Sequence, residues 1–285
     1  MPAHRSMLIV AALLCSSAQA TLTINNGLDT NTFDAITTET LFITDSTTGD
    51  PTSIDIRENA ELGESIFNTS LITDLNSSAV VNGATLTSDA IARNNSSITL
   101  NEAIVEGGLI TANTSTAIVN GATIDRYVEA CNDSNIHIID GSFAGEVQAR
   151  DSSTMQIMGG EFDDRVEAAE RAVLEVFGGT LSTPGSDHQD IGLAARGLST
   201  IYIYGINFQI NGLDVDYGEI TLTSGVLTGT LSDGTDIETL IARERQRVRG
   251  TRYTGTIILV EQPVPTPGGA SLLALSASIT RRRRC

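Results

Sequence analysis

The chain has 285 residues, 40% of them hydrophobic and only 4% aromatic with no Trp, so its core has to be filled by Val, Ile, Leu and Ala. Its net charge is −18, and all 17 of its basic residues are arginine; five of these (Arg5, Arg281, Arg282, Arg283 and Arg284) sit near the ends, so the rest carries −23. Such a surface repels nucleic acid at long range, and with Cys131 the only cysteine between Cys15 and Cys285 no internal disulfide framework can hold the body.

Residues 1–20 read as a secretory signal peptide, with a basic start at His4 and Arg5, an apolar run from Met7 to Leu14, and small residues at Ala18 and Ala20. The mature chain is expected to begin at Thr21. Residues 21–76 show only fragments of a pattern, such as the alternating Ile54 and Ile56, and are expected to form an N-terminal cap with irregular first coils. From Ser77 one pattern then returns every 19 residues, opening at Ser77, Ser96, Ser115, Ser134, Ser153 and Ala172. A period near 20 marks units that bury an apolar face only by stacking on their neighbours.

Within each unit, position 3 (Ala79, Ile98, Ala117, Ile136, Met155, Leu174) and position 5 (Val81, Leu100, Val119, Ile138, Ile157, Val176) share one strand face. Position 10 (Leu86, Val105, Ile124, Phe143, Phe162, Leu181) supplies a second inward wall. Positions 14 and 16 (Val128 and Ala130, Val147 and Ala149, Val166 and Ala168) supply a third. Turn pairs such as Asn82-Gly83 and Asn120-Gly121 separate the first two walls, and the opening serines suit a corner where a hydroxyl bonds nearby backbone. The expected fold is all-β: a single-stranded parallel β-helix, a solenoid of about 19 residues per coil, right-handed, over residues 77–260.

The unit opening at Ala172 carries eight extra residues, a loop insertion near 182–189. Loops on a rigid scaffold carry function, so Asp187, His188 and Asp190 are candidate ligand contacts. Tyr202 and Tyr204, opposite the inward Ile201 and Ile203, are candidate aromatic contacts. Past Asp214 the register slips, Arg243, Arg245, Arg247 and Arg249 alternate as on a charged capping strand, and residues 256–260 close the domain.

Residues 261–285 have three parts: the proline motif Pro265-Thr266-Pro267, the small apolar stretch 268–280, and the run Arg281, Arg282, Arg283 and Arg284. The apolar stretch is too short to span a bilayer as a helix. This tail resembles the PEP-CTERM sorting signal of exported bacterial proteins, with Pro265-Thr266-Pro267 standing where that family has Pro-Glu-Pro. The resemblance implies export, handling by a C-terminal sorting and processing enzyme of the membrane, transient membrane association through the tail, and residence at the cell surface or in extracellular polysaccharide.

Asp163, Asp164, Arg165 and Glu167 are the residue types a polysaccharide lyase or hydrolase needs, and Glu129 shares position 15 with Glu167. The turns around them are short and uniform. No phosphate-binding loop or calcium-binding nonapeptide occurs, so no cofactor is expected. The expectation is therefore an exported structural or interaction protein, not an enzyme, with extracellular polysaccharide as its partner. A β-helical polysaccharide lyase or hydrolase is the alternative.

Overall fold

The computed structural model describes residues 7–9, 22–27, 31–37, 40–45, 49–62, 69–182, 192–248 and 251–262. Among them the chain is all-β, its strands joined into one large and mostly parallel sheet without a helix. Ser97–Asn101 illustrates the local rule: Ile98 and Leu100 are buried, while Ser97, Thr99 and Asn101 turn outward. Successive side chains on a strand leave opposite faces, so apolar residues two apart dictate which face is core.

Three parallel ladders run through the regular region. The first stacks Ser78–Asn82, Ser97–Asn101, the opening halves of Thr116–Ile124 and Asn135–Phe143, then Thr154–Ile157, Val173–Val176, Thr200–Ile210 and Thr256–Glu261. The second stacks Thr85–Leu86, Ile104–Val105, the closing halves of the same two long strands, and Glu161–Phe162. The third stacks Asp89–Arg93, Leu109–Ala112, Val128–Ala130, Val147–Ala149, Val166–Ala168, Leu193–Arg196 and part of Asp236–Val248. Ser78 pairs with Ser97, Ser97 with Thr116, Thr116 with Asn135, Asn135 with Thr154 and Thr154 with Val173, a constant step of 19. Val173 pairs with Thr200, a step lengthened to 27 by the insertion.

The three walls read from the sequence are the inner faces of these ladders. Every residue named above at positions 3, 5, 10, 14 and 16 is buried, and Phe143 stacks on Phe162 with ring centroids 4.8 Å apart. Each unit leaves its inner wall to its neighbours, which is why apolar residues recur at fixed positions and not along any one strand.

The corners explain the serines. The Oγ of Ser96 donates to the Thr73 carbonyl (2.9 Å), that of Ser115 to Ala92 (2.9 Å), that of Ser153 to Ala130 (3.0 Å) and that of Ser199 to Ala168 (2.8 Å), tying each corner to the preceding unit. In Ser77, Ser96, Ser115 and Ser199 the same oxygen also accepts the amide three residues back. Two residues before each opening position the backbone is left-handed: Leu75, Asn94, Asn113, Asn132, Asp151, Glu170 and Gly197 all have positive φ. Asn, Asp and Gly suit that conformation, whereas Leu75 and Glu170 hold it at a steric cost.

The ends differ from the middle. Below Ser77 the described strands extend the same ladders at uneven steps and do not lie across their end: Leu22–Ile24, Leu41–Ile43 and Thr69–Thr73 join the third, Asn31–Phe33 and Ser53–Ile56 the first, Ile36–Thr37 and Glu61–Leu62 the second. Met7–Ile9, within the apolar run of the expected leader, pairs in parallel with Asn31–Phe33. Beyond Ile210 the direction reverses. Ser224–Leu231 lies antiparallel to Thr200–Ile210, Asp236–Val248 antiparallel to Ser224–Leu231, and Thr251–Thr254 antiparallel to Asp236–Val248. Parallel pairing continues with part of Asp236–Val248 on Leu193–Arg196 and with Thr256–Glu261 on Thr200–Ile210.

Candidate functional site

The outward face of the first ladder changes character along its length. In the early units it is a polar row in which Asn82 bonds Asp55 (2.7 Å) and Asn101 bonds Asn82 (2.8 Å). Further on, position 4 becomes Ile118, His137, Gln156, Glu175 and Tyr202, aligned by register, and Ile258 follows from the last strand. Position 6 becomes Ile139, Met158, Phe177 and Tyr204. Ile118, Ile139 and Met158 are large apolar side chains left exposed.

The two tyrosines foreseen as aromatic contacts sit at the far end of this face. Tyr204 stacks on Phe177 with ring centroids 4.2 Å apart, and Tyr202 lies 6.5 Å from Tyr204, tilted. The Glu175 carboxylate organises the group: one oxygen accepts the Tyr204 hydroxyl (2.9 Å) and the other accepts the Gln156 amide (2.6 Å). Burial, and then the bond to Glu175, push the Tyr204 phenol up to about 12. The result is a half-buried aromatic platform beside a carboxylate and a carboxamide. A surface of this kind can pack a ring against the C–H face of a sugar while the neighbouring polar groups bond its hydroxyls.

Sequence reasoning named Tyr202 and Tyr204 but missed Phe177, Glu175 and Gln156. The signal was present, because Phe177 shares position 6 with Tyr204, and Gln156 and Glu175 share position 4 with Tyr202. Asp187, His188 and Asp190 lie outside the described residues, as do the leader residues Ala18, Ala20 and Thr21 and the tail residues Pro265, Thr266, Pro267, Arg281, Arg282, Arg283 and Arg284. Next to the insertion in sequence, a cleft of about 390 Å³ is lined by Thr180, Leu181, Thr228, Gly229, Asp236, Ile237 and Glu238.

The acidic cluster around Arg165 is arranged differently from a groove. Glu167 is fully buried, accepts the Gln148 amide (2.7 Å) and pairs with Arg165 (2.8 Å) and Arg196 (3.2 Å). Arg165 also reaches Glu146 (2.9 Å). Glu129 pairs instead with Arg150 (2.5 Å), one rung away. A carboxylate held by two guanidiniums and an amide is a buried ion cluster whose loss of one partner would strand a charge. Asp163 is exposed, and Asp164 accepts the Arg165 amide (2.6 Å). Cys131 is half-buried at a corner, and burial, followed by the neighbouring Glu129, pushes its thiol up to about 12, far from the thiolate that nucleophilic chemistry requires. On the C-terminal strand Arg243 is tied inward to the Gly255 and Ile220 carbonyls and to Glu219, while Arg249 lies outside the described residues.

Among the described residues no group of three or more His, Cys, Asp or Glu side chains is placed to hold a metal ion, and no helix is long and apolar enough to cross a membrane. Comparison of the chain with protein families, with curated proteins and with solved structures finds no match.

Proposed function

We propose that the ladders wind a single-stranded, right-handed parallel β-helix of about 19 residues per coil, and that this rod is an exported structural or interaction protein of the cell envelope or its extracellular polymer. Right-handed crossovers between parallel strands are the rule that supports the hand. The leader ending at Ala20 and the PEP-CTERM-like tail support export and sorting. Extracellular polysaccharide is the partner this reading assigns, and the aromatic end of the first ladder is its contact face.

The observation that carries the reading is the grouping of Phe177, Tyr202 and Tyr204 with Glu175 and Gln156 on one outward face of a sheet whose early units turn Ser, Thr and Asn outward. A solenoid can repeat polar outward residues at no cost to its core, so half-buried aromatic rings gathered at one end favour a contact role.

The test is binding of purified protein to the extracellular polysaccharide of its host. Tyr202→Ala is expected to weaken binding by about 10-fold, the scale of one lost aromatic contact, while Thr99→Ala on the polar part of the same face leaves it unchanged. Equal binding by both variants would remove the face from the account. Intact mass of the host-exported protein, expected to begin at Thr21 and end near Pro265 to Pro267, tests the processing separately.

A further inference from the structure

The two ends of the molecule are finished in opposite ways. At the C-terminal end the ladder edges are covered: Gly218–Glu219 pairs antiparallel with Thr256–Glu261, and Asp236–Val248 is flanked by Ser224–Leu231 and Thr251–Thr254. Asp236–Val248 also carries Asp236, Glu238, Arg243, Glu244, Arg245 and Arg247, the kind of charge that discourages strand addition. At the N-terminal end, by contrast, Leu22–Ile24 pairs only with Leu41–Ile43, and Ile36–Thr37 only with Glu61–Leu62, among the described residues. Together with Asn31–Phe33 these terminal strands contain no charged residue and no proline.

Backbone direction sharpens this. The Leu22 amide donates to the Thr40 carbonyl (3.0 Å) and the Ile24 carbonyl accepts the Thr44 amide (3.1 Å), so Leu22 and Ile24 direct their main-chain groups into the molecule. Main-chain groups alternate along a strand, so those of Thr23 point out of the open end. Thr23 is exposed, and no described residue bonds its amide.

We propose that this end is an interface between two copies of the chain, in which Leu22–Ile24 of each runs antiparallel to the other with Thr23 opposite Thr23. In that arrangement the two residues exchange both N–H···O=C bonds, which makes the edge complementary to itself. Among the described residues the far end offers no matching uncharged edge, so the contact closes as a two-fold pair and does not propagate head to tail. Met7–Ile9 covers Asn31–Phe33 in the full chain. If the leader is removed, as the proposed export requires, the interface gains that second edge, a part of the inference that rests on the leader reading.

The test is sedimentation of the protein exported by its host, with intact mass and amide exchange read on the same sample. A mass about twice that of one chain, falling to one chain on dilution, is expected, with the Thr23 amide protected in the dimer. Thr23→Lys is expected to leave a monomer with unchanged circular dichroism and the melting temperature of the dilute, dissociated wild type, and so is Thr23→Pro, which removes only an outward N–H. A wild-type chain that stays monomeric across the concentration series, one that grows into filaments, or a Thr23→Lys variant that remains dimeric overturns the proposal. An intact mass beginning at Met1 would instead refute the leader reading alone, since among the described residues of the full chain Leu22–Ile24 pairs only with Leu41–Ile43.

Discussion

Between Ser77 and Phe162 the strands find their neighbours 19 residues further on, whereas between Ser224 and Val248 neighbouring strands turn back on each other. The first arrangement spreads one core over many identical short steps, and no unit in it is stable without the next. The second makes local antiparallel pairs and carries its charge on Asp236–Val248. The contrast teaches where the repeat must stop: a parallel ladder always exposes a further edge, and a reversal of direction is the way this chain closes one end of it.

The most damaging change is expected in the regular region. Phe143→Ala removes one ring of the buried Phe143–Phe162 stack, where neighbouring units cannot collapse without breaking register; a loss of about 3–5 kcal/mol by denaturant unfolding is expected. Leu227→Ala, in the antiparallel region, is expected to cost about 2–4 kcal/mol by the same measurement, since Leu227 is equally buried but its hairpin can close locally. A larger loss at Leu227 would reverse the comparison.

Corner chemistry comes next. Ser115→Ala leaves the Ala112 amide and Ala92 carbonyl without their side-chain partner in a buried corner, for an expected loss of about 1–3 kcal/mol. The unit opening at Ala172 manages without a serine, because the Ala169 amide bonds the Ala149 carbonyl directly. Leu75→Asn acts in the opposite direction. It keeps the left-handed backbone at φ 56 but exchanges an exposed leucine for a residue that tolerates it, and a gain of up to about 1 kcal/mol is expected in thermal melts.

The smallest effect is one of pH. Burial, followed by the hydrogen bond from its hydroxyl to Asp89, pushes the Tyr127 phenol up to about 12 from an ordinary 10.0. A raised folded-state pKa favours the neutral form, so its contribution is fully present below pH 10 and is lost as pH rises through about 12. Tyr204 behaves alike through burial and Glu175. Tyr127→Phe is expected to flatten part of the alkaline fall in stability without changing the slope below pH 9; an unchanged alkaline limb would contradict the assignment.

Much of the fold was legible because a 19-residue period puts the same kind of residue at the same wall each time, so positions 3, 5 and 10 could be read without knowing any contact. The left-handed corner residue was not read, because Leu75, Asn94, Asp151 and Glu170 share a backbone angle and not a side chain. The region from Leu213 to Val248 was legible only as strands and turns, since partners in a reversed pair leave no fixed spacing in sequence. For the candidate site, Tyr202 and Tyr204 stood out by residue type, but Glu175 and Gln156 look like ordinary surface residues until register aligns them beside the rings.

Amide hydrogen exchange along the whole chain tests the central claim, that the regular units share one core, most directly. The buried strands Ile98 to Leu100, Ile136 to Ile138 and Met155 to Ile157 should exchange last and together, with the Leu227 to Ile241 hairpin opening earlier. Units that exchange independently of one another, or a hairpin that outlasts them, would contradict it.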